Sequence, residues 1–318
     1  MTRGARGALR TAFIGFALLA CSSRHIGPPP SAPTLARPLD ALPADLDIVL
    51  RLDLKRMRDT LGASTMTELG ERAVQGLHGA DKATDALLLT ALSHTDTLWL
   101  GLRPSRSLGA ADSVFVLSGR FADFDPHRVA STPPFQPSLD LGGTLRRYDR
   151  ASPASRSAPA RIYTRGSDLI VTVSEAELDS EERTLEAQLG VPPLEPAEKG
   201  VISGIMRSRA LPPQLFVGVE PLLHLAERAD RCEFDADLTS AGVEAEISLR
   251  FGDADAALAV VQALESLRSA LAETPGRSAK FAKRVRLSSA AEYVTMRLAL
   301  GRDELGELVN CHGAACRW

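Results

Sequence analysis

The chain opens with Arg3, Arg6 and Arg10, and no acid precedes Asp40. The apolar run Ala12 to Ala20 follows them, too short for a bilayer span, which needs about 20 apolar residues. A charged segment followed by a short apolar one is the layout of a removable export signal. From Ser22 to Ala44 hydrophobic periodicity is absent and six prolines intervene, Pro28, Pro29, Pro30, Pro33, Pro38 and Pro43. Such a stretch reads as a stiff tether extending about 3.1 Å per residue. Periodic structure begins at Asp45. Leu46, Ile48, Leu50, Leu52 and Leu54 alternate with Asp47, Val49, Arg51 and Asp53, which predicts a strand with one buried face.

A helical region is expected over 55–94, broken near Gly62 and Gly79. Strands follow at 97–102 and 113–121, then a short helix after Asp125, then strands near 145–148, 161–164 and 169–173. The acidic start of 175–189 suits a helix N-terminus. A second cycle opens with Leu215 to Val219 and a helix over 222–229. Strands at 232–238 and 243–251 come next, then an amphipathic helix over 255–272 carrying Leu258, Val261, Leu264, Leu267 and Leu271. Strands at 285–287 and 293–300 and a helix from Arg302 complete it.

The order strand, helix, strand, strand, helix, strand thus occurs twice. Arg120-Phe121-Ala122-Asp123-Phe124-Asp125 is echoed by Arg250-Phe251-Gly252-Asp253-Ala254-Asp255, each at a strand end before a helix. Motif and context together point to internal duplication. The expected fold is α+β, built from duplicated units with mainly antiparallel sheets and helices packed on one face. The expected segments are 1–20 leader, 21–44 tether, 45–200 first unit and 201–318 second unit. This pattern loosely resembles repeated α+β proteins of bacterial envelopes.

The leader carries a more specific resemblance. Leu18, Leu19, Ala20 and Cys21 resemble the lipobox of bacterial lipoproteins, with small Ala20 before the cleaved bond and Cys21 first in the mature chain. The resemblance implies a diacylglyceryl group on the Cys21 thiol and an acylated amino terminus, including palmitate-type chains. Two or more chains hold a protein stably on a membrane, since each buried CH₂ contributes about 0.8 kcal/mol. Ser22, where Asp would direct inner-membrane retention in enteric members, leans the expectation toward the outer membrane, with the periplasmic or surface face open.

Composition narrows the remaining chemistry. Of 318 residues 44% are hydrophobic and 24% charged, and 24 glycines with 20 prolines are too few for a low-complexity or collagen-like chain. Losing residues 1–20 removes three arginines and no acid, moving the net charge from −3 to −6. No global basic field draws nucleic acid, and the densest basic stretch, Arg277 to Arg286 with Lys280, Lys283 and Arg284, interleaves only Phe281. That stretch reads as a solvated approach to a hairpin, although lipid phosphates or an anionic polysaccharide would also suit it.

Asp123 with Asp125 and Asp253 with Asp255 are read as helix caps rather than cation ligands, because neither segment supplies the other oxygens of a calcium loop. Three cysteines remain beside Cys21. Cys311 and Cys316 are close enough to form a disulfide with Cys232 buried, and pairing of Cys232 with either is the alternative. His312 lies between them, but the spacing lacks the pairs of a zinc site. The six histidines, His25, His78, His94, His127, His224 and His312, share no repeated spacing, and neither a nucleophile elbow nor a phosphate loop occurs. The expectation is no catalytic residue, no metal and no cofactor: a membrane-anchored protein with a binding or structural role. The alternatives are an envelope hydrolase with a dispersed site and a partner-binding subunit of an envelope complex.

Overall fold

The computed structural model describes residues 35–76, 82–104, 111–121, 125, 127, 130, 133–140, 145–151, 158–185, 194–207, 228–239, 241–274, 277–301 and 304. Their strands are β1 (Ile48–Asp53), β2 (Thr95–Pro104), β3 (Ala111–Gly119), β4 (Phe135–Asp140), β5 (Leu145–Arg150), β6 (Pro159–Arg165), β7 (Leu169–Ser174), β8 (Ile202–Arg207), β9 (Arg231–Thr239), β10 (Gly242–Arg250), β11 (Arg286–Ala290) and β12 (Tyr293–Gly301). The helices are α1 (Leu54–Leu61), α2 (Ala63–Gly76), α3 (Lys82–His94), α4 (Leu178–Leu185), α5 (Ala254–Glu273) and α6 (Arg277–Arg284), with 3₁₀ turns at Pro38–Ala41 and Glu175–Glu177.

The strands make one antiparallel sheet in the order β11-β12-β10-β9-β8-β1-β2-β3-β7-β6-β5-β4. The two repeated halves meet at the pair β1 and β8, with Val49 opposite Ile205. Reading outward, β1-β2-β3-β7-β6 on one side matches β8-β9-β10-β12-β11 on the other, and the hairpin β4–β5 extends the first side alone. The class is therefore α+β with a repeated strand order.

The sequence echo falls at equivalent places. Phe121 and Phe251 are both 1% exposed. The Phe121 amide donates to the Ser167 carbonyl and the Phe251 amide to the Glu292 carbonyl, each at 2.9 Å, so each backbone closes on the tight turn of its neighbouring hairpin. Those turns contain the chain reversals at Gly166 and Ala291, both with positive φ.

Alternation decides which strands are covered twice. All six residues of β7 are buried, as a continuous apolar run requires. On one face Leu54 and Met57 of α1 and Leu88 and Ala91 of α3 pack on Leu98, Leu117, Ile162 and Ile170. α5 covers the same face of the second half through Ala257 and Val260 against Phe251 and Val294. The opposite face of the first half is also covered, by Leu39, Leu42, Leu46 and Leu185 over Val49, Trp99, Val116, Val171 and Ile205. In the second half that opposite face carries Glu233, Asp235, Asp237, Glu244 and Glu246, none of them buried.

Three local expectations differ from the structure. The second cycle opens at β8, thirteen residues before Leu215. The 215–219 strand and residues 222–227 of the expected helix lie outside the described residues, and the helix does not include 228 and 229, which lie in a turn before β9. β8 escapes the pattern because it is short and contains Gly204, where a Cβ would strike the Phe234 ring. β4 also escapes it: as the outermost strand it buries only Phe135 and carries Pro137, which an edge tolerates. The basic stretch at 277–284 is the helix α6, seated by buried Ala279 and Ala282 with Lys280, Lys283 and Arg284 exposed. Gly62, with φ of 83°, ends α1 as the sequence leads one to expect.

Candidate functional site

The β4–β5 hairpin, the part of the first half with no counterpart in the second, borders a pocket of about 530 Å³. His127, Ser138, Asp140, Arg146, Arg147 and Tyr148 supply its polar groups, and Leu139, 44% exposed, supplies apolar wall. The β5–β6 register sets Tyr148 opposite Ile162 and Arg146 opposite Thr164, so Tyr148 and Thr164 are diagonal neighbours on one face. Asp125 orients the segment opposite them, its Oδ1 accepting the His127 backbone N–H at 3.0 Å.

The imidazole thereby meets two hydroxyls. Its Nδ1 lies 2.6 Å from Thr164 Oγ1 and 3.1 Å from Tyr148 Oη. We assign the ring proton to Nε2, because Nδ1 then offers its lone pair to the Thr164 hydroxyl, the nearer of the two, with the Tyr148 hydroxyl beside it. Thr164 is 1% and Tyr148 3% exposed, so both hydroxyls need such a partner. Burial holds His127 below the ordinary histidine range, and the Arg146 charge adds to this, while Asp125 and Asp140 oppose it. The ring is thus neutral at neutral pH. A neutral imidazole beside Ser138, Asp140 and Arg146 offers fixed donors and acceptors without a strong net charge, an arrangement suited to holding a polar ligand.

Behind the hairpin an ion cluster braces the wall. Asp149 accepts from Arg161 at 2.7 Å and from Arg147 at 3.1 Å. Glu182 of α4 lies 3.4 Å from Arg161 and 3.8 Å from Arg147. The same Arg161 donates to Tyr163 Oη at 3.1 Å.

Of the residues singled out by sequence, Asp253 caps α5, its Oδ1 accepting the Ala256 amide at 2.6 Å, and Asp255 sits in the first turn. Asp123 lies outside the described residues, as do Ala20, Cys21, His312, Cys311 and Cys316. Cys232 is a buried free thiol, with burial and the Glu233 charge pushing it up to about 11. Among the described residues no group of three or more His, Cys, Asp or Glu is placed to hold a metal, and no helix is long and apolar enough to cross a membrane. Sequence alone marked His127 only as one of six scattered histidines. Its partners lie 21 and 37 residues away and meet it only through strand register.

Fold and site together define an α+β protein with one continuous antiparallel sheet and a small polar pocket at one edge. No protein-family profile matches the sequence, and no curated protein does. Among solved structures, crystal forms III, I and IV of TP0453 are similar to it at TM-scores of 0.48, 0.49 and 0.45, with 7%, 8% and 7% identity. Each alignment covers 86% of this chain and 96–97% of the other. No residue role is carried over from them.

Proposed function

We propose that this chain is a lipid-anchored bacterial envelope protein whose folded body serves a binding or structural role without turnover. The observation that carries the reading is the run Leu18-Leu19-Ala20-Cys21 directly after a basic and apolar leader, followed by a proline-rich spacer. Acyl chains on Cys21 tether the body to the membrane, with the outer membrane favoured by Ser22. The pocket beside β4–β5 is its ligand site, and a protein partner is the other mode of binding. Nucleic acid is not the expected partner.

The same pocket supports binding over hydrolysis. A serine- or threonine-type hydrolase pairs its histidine with a nucleophile that substrate can reach, whereas the hydroxyl nearest His127 belongs to Thr164, which is 1% exposed.

Growth with labelled palmitate tests the anchor. The wild-type protein should incorporate label and fractionate with membranes, and Cys21→Ser should lose both properties. An unlabelled wild-type protein with its leader intact would overturn the assignment.

A further inference from the structure

The 3₁₀ turn Glu175–Glu177 and α4 lie over the twice-covered face of the first half. Among their acids two are buried, four residues apart, and the two are treated differently. Glu177, 1% exposed, receives both arms of Arg103, at 2.8 Å to Oε1 and 3.3 Å to Oε2. Glu181 is 0% exposed, and neither of its oxygens has a hydrogen-bond partner. A buried carboxylate without donors is costly, so the group stays seated only with its proton on.

The charged neighbours do not relieve it. Arg161 of β6 is committed to Asp149, Glu182 and Tyr163. Arg103 of β2 is committed to Glu177 and Asp45, and β3 sets Asp112 opposite it in register. The turn Pro38–Ala41 brings Asp40, held by Arg37. β7 contributes no charged side chain, and on its own elements Glu181 shares space with Glu175, Glu177, Asp179, Glu182 and Arg183. Acids outnumber the cations around it, and the nearby cations are taken.

The same helix also holds the start of the folded body. Ser180 Oγ donates to Asp45 Oδ1 at 2.9 Å, and Arg103 reaches Asp45 Oδ2 at 3.1 Å and its carbonyl at 3.0 Å. Leu39, Leu42 and Leu46 share the core beneath with Leu185. Residues 35–47 are therefore clamped where α4 is seated.

We propose that Glu181 is a proton-operated latch: with its carboxyl O–H intact α4 and residues 35–47 stay seated on the sheet, and loss of that proton to solvent releases them. Burial first, then the Glu177 charge, holds the carboxyl well above its ordinary value, with Arg161 acting the other way. The stabilising contribution is thus fully present below the unfolded carboxyl value and is lost as pH rises through the raised folded one. The latch belongs to the folded body and stands whether or not Cys21 is acylated.

Amide hydrogen exchange across pH 5 to 9 tests it. Corrected for intrinsic rates, protection of α4 and residues 39–47 in the wild-type protein should fall about tenfold per pH unit over part of that range, the signature of one linked proton. Glu181→Gln and Glu181→Leu should give protection independent of pH, and Glu182→Gln should keep the wild-type slope. Flat protection in the wild type, or an equal slope in the Glu181 variants, would overturn the proposal. The Glu181 side-chain ¹³C carboxyl resonance supplies the test without substitution. Its midpoint should coincide with the loss of α4 protection, and an ordinary carboxylate midpoint would refute the latch.

Discussion

Thr164 and Tyr148 hold His127 by hydroxyl contacts from side chains that are themselves almost wholly buried. Thr164→Val removes the shorter contact while keeping shape and leaves Nδ1 to the Tyr148 hydroxyl, and should cost about 0.5–1.5 kcal/mol in urea unfolding, the net contribution of one hydrogen bond. His127 should titrate below 6.5 in a histidine NMR titration. Because its folded value is lowered, its contribution is present above the unfolded value and is lost as pH falls through the folded one. A midpoint at or above 6.5 would contradict the half-buried, neutral ring. None of this trio was legible in sequence, since a hydroxyl and an imidazole carry no mark of their partners until register brings strands together. Asp253 was legible, because a cap acts on amides two or three residues away.

At the scale of elements, the echo Arg-Phe-x-Asp-x-Asp marks the same structural joint twice. Phe121 and Phe251 each close a strand onto the next hairpin turn, and each ring is buried. Phe121→Ala and Phe251→Ala should each cost about 3–5 kcal/mol in denaturant unfolding, the range for a lost core aromatic. A cost below about 1 kcal/mol at either site would break the equivalence. Most helices were readable from periodicity because one of their faces is buried and the other wet, while β7, covered on both faces, was readable as a short apolar run. β4 and β8 were not: β4 buries one residue of six, and β8 fits in the centre of the sheet through a glycine rather than through alternating side chains. α6 read only as a solvated approach to a hairpin because its cations dominate, and two buried alanines seat it as a helix ahead of β11 and β12.

For the whole molecule, β1 and β8 join the two repeats into one sheet, and Ile205 of β8 packs in the core of the first half with Val49 and Trp99. The repeats should therefore unfold together. In a Trp318→Phe background, Trp99 fluorescence and far-ultraviolet circular dichroism should report one shared urea midpoint, whereas two separated transitions would show that the halves fold apart. The chain by itself determined what is written locally: a basic and apolar N-terminal run ending in a lipobox-like Cys21, a proline-rich spacer, the α+β class, and an echo of six residues between the repeated units. Tertiary structure alone decided that the repeats share one sheet, that the first half is covered on both faces, and that His127, Thr164 and Tyr148 meet. It alone also decided that Glu181 is sealed from water. Local patterns record which side of an element is buried. Partners and burial at a distance depend on strand pairing, which brings together residues that the sequence holds far apart.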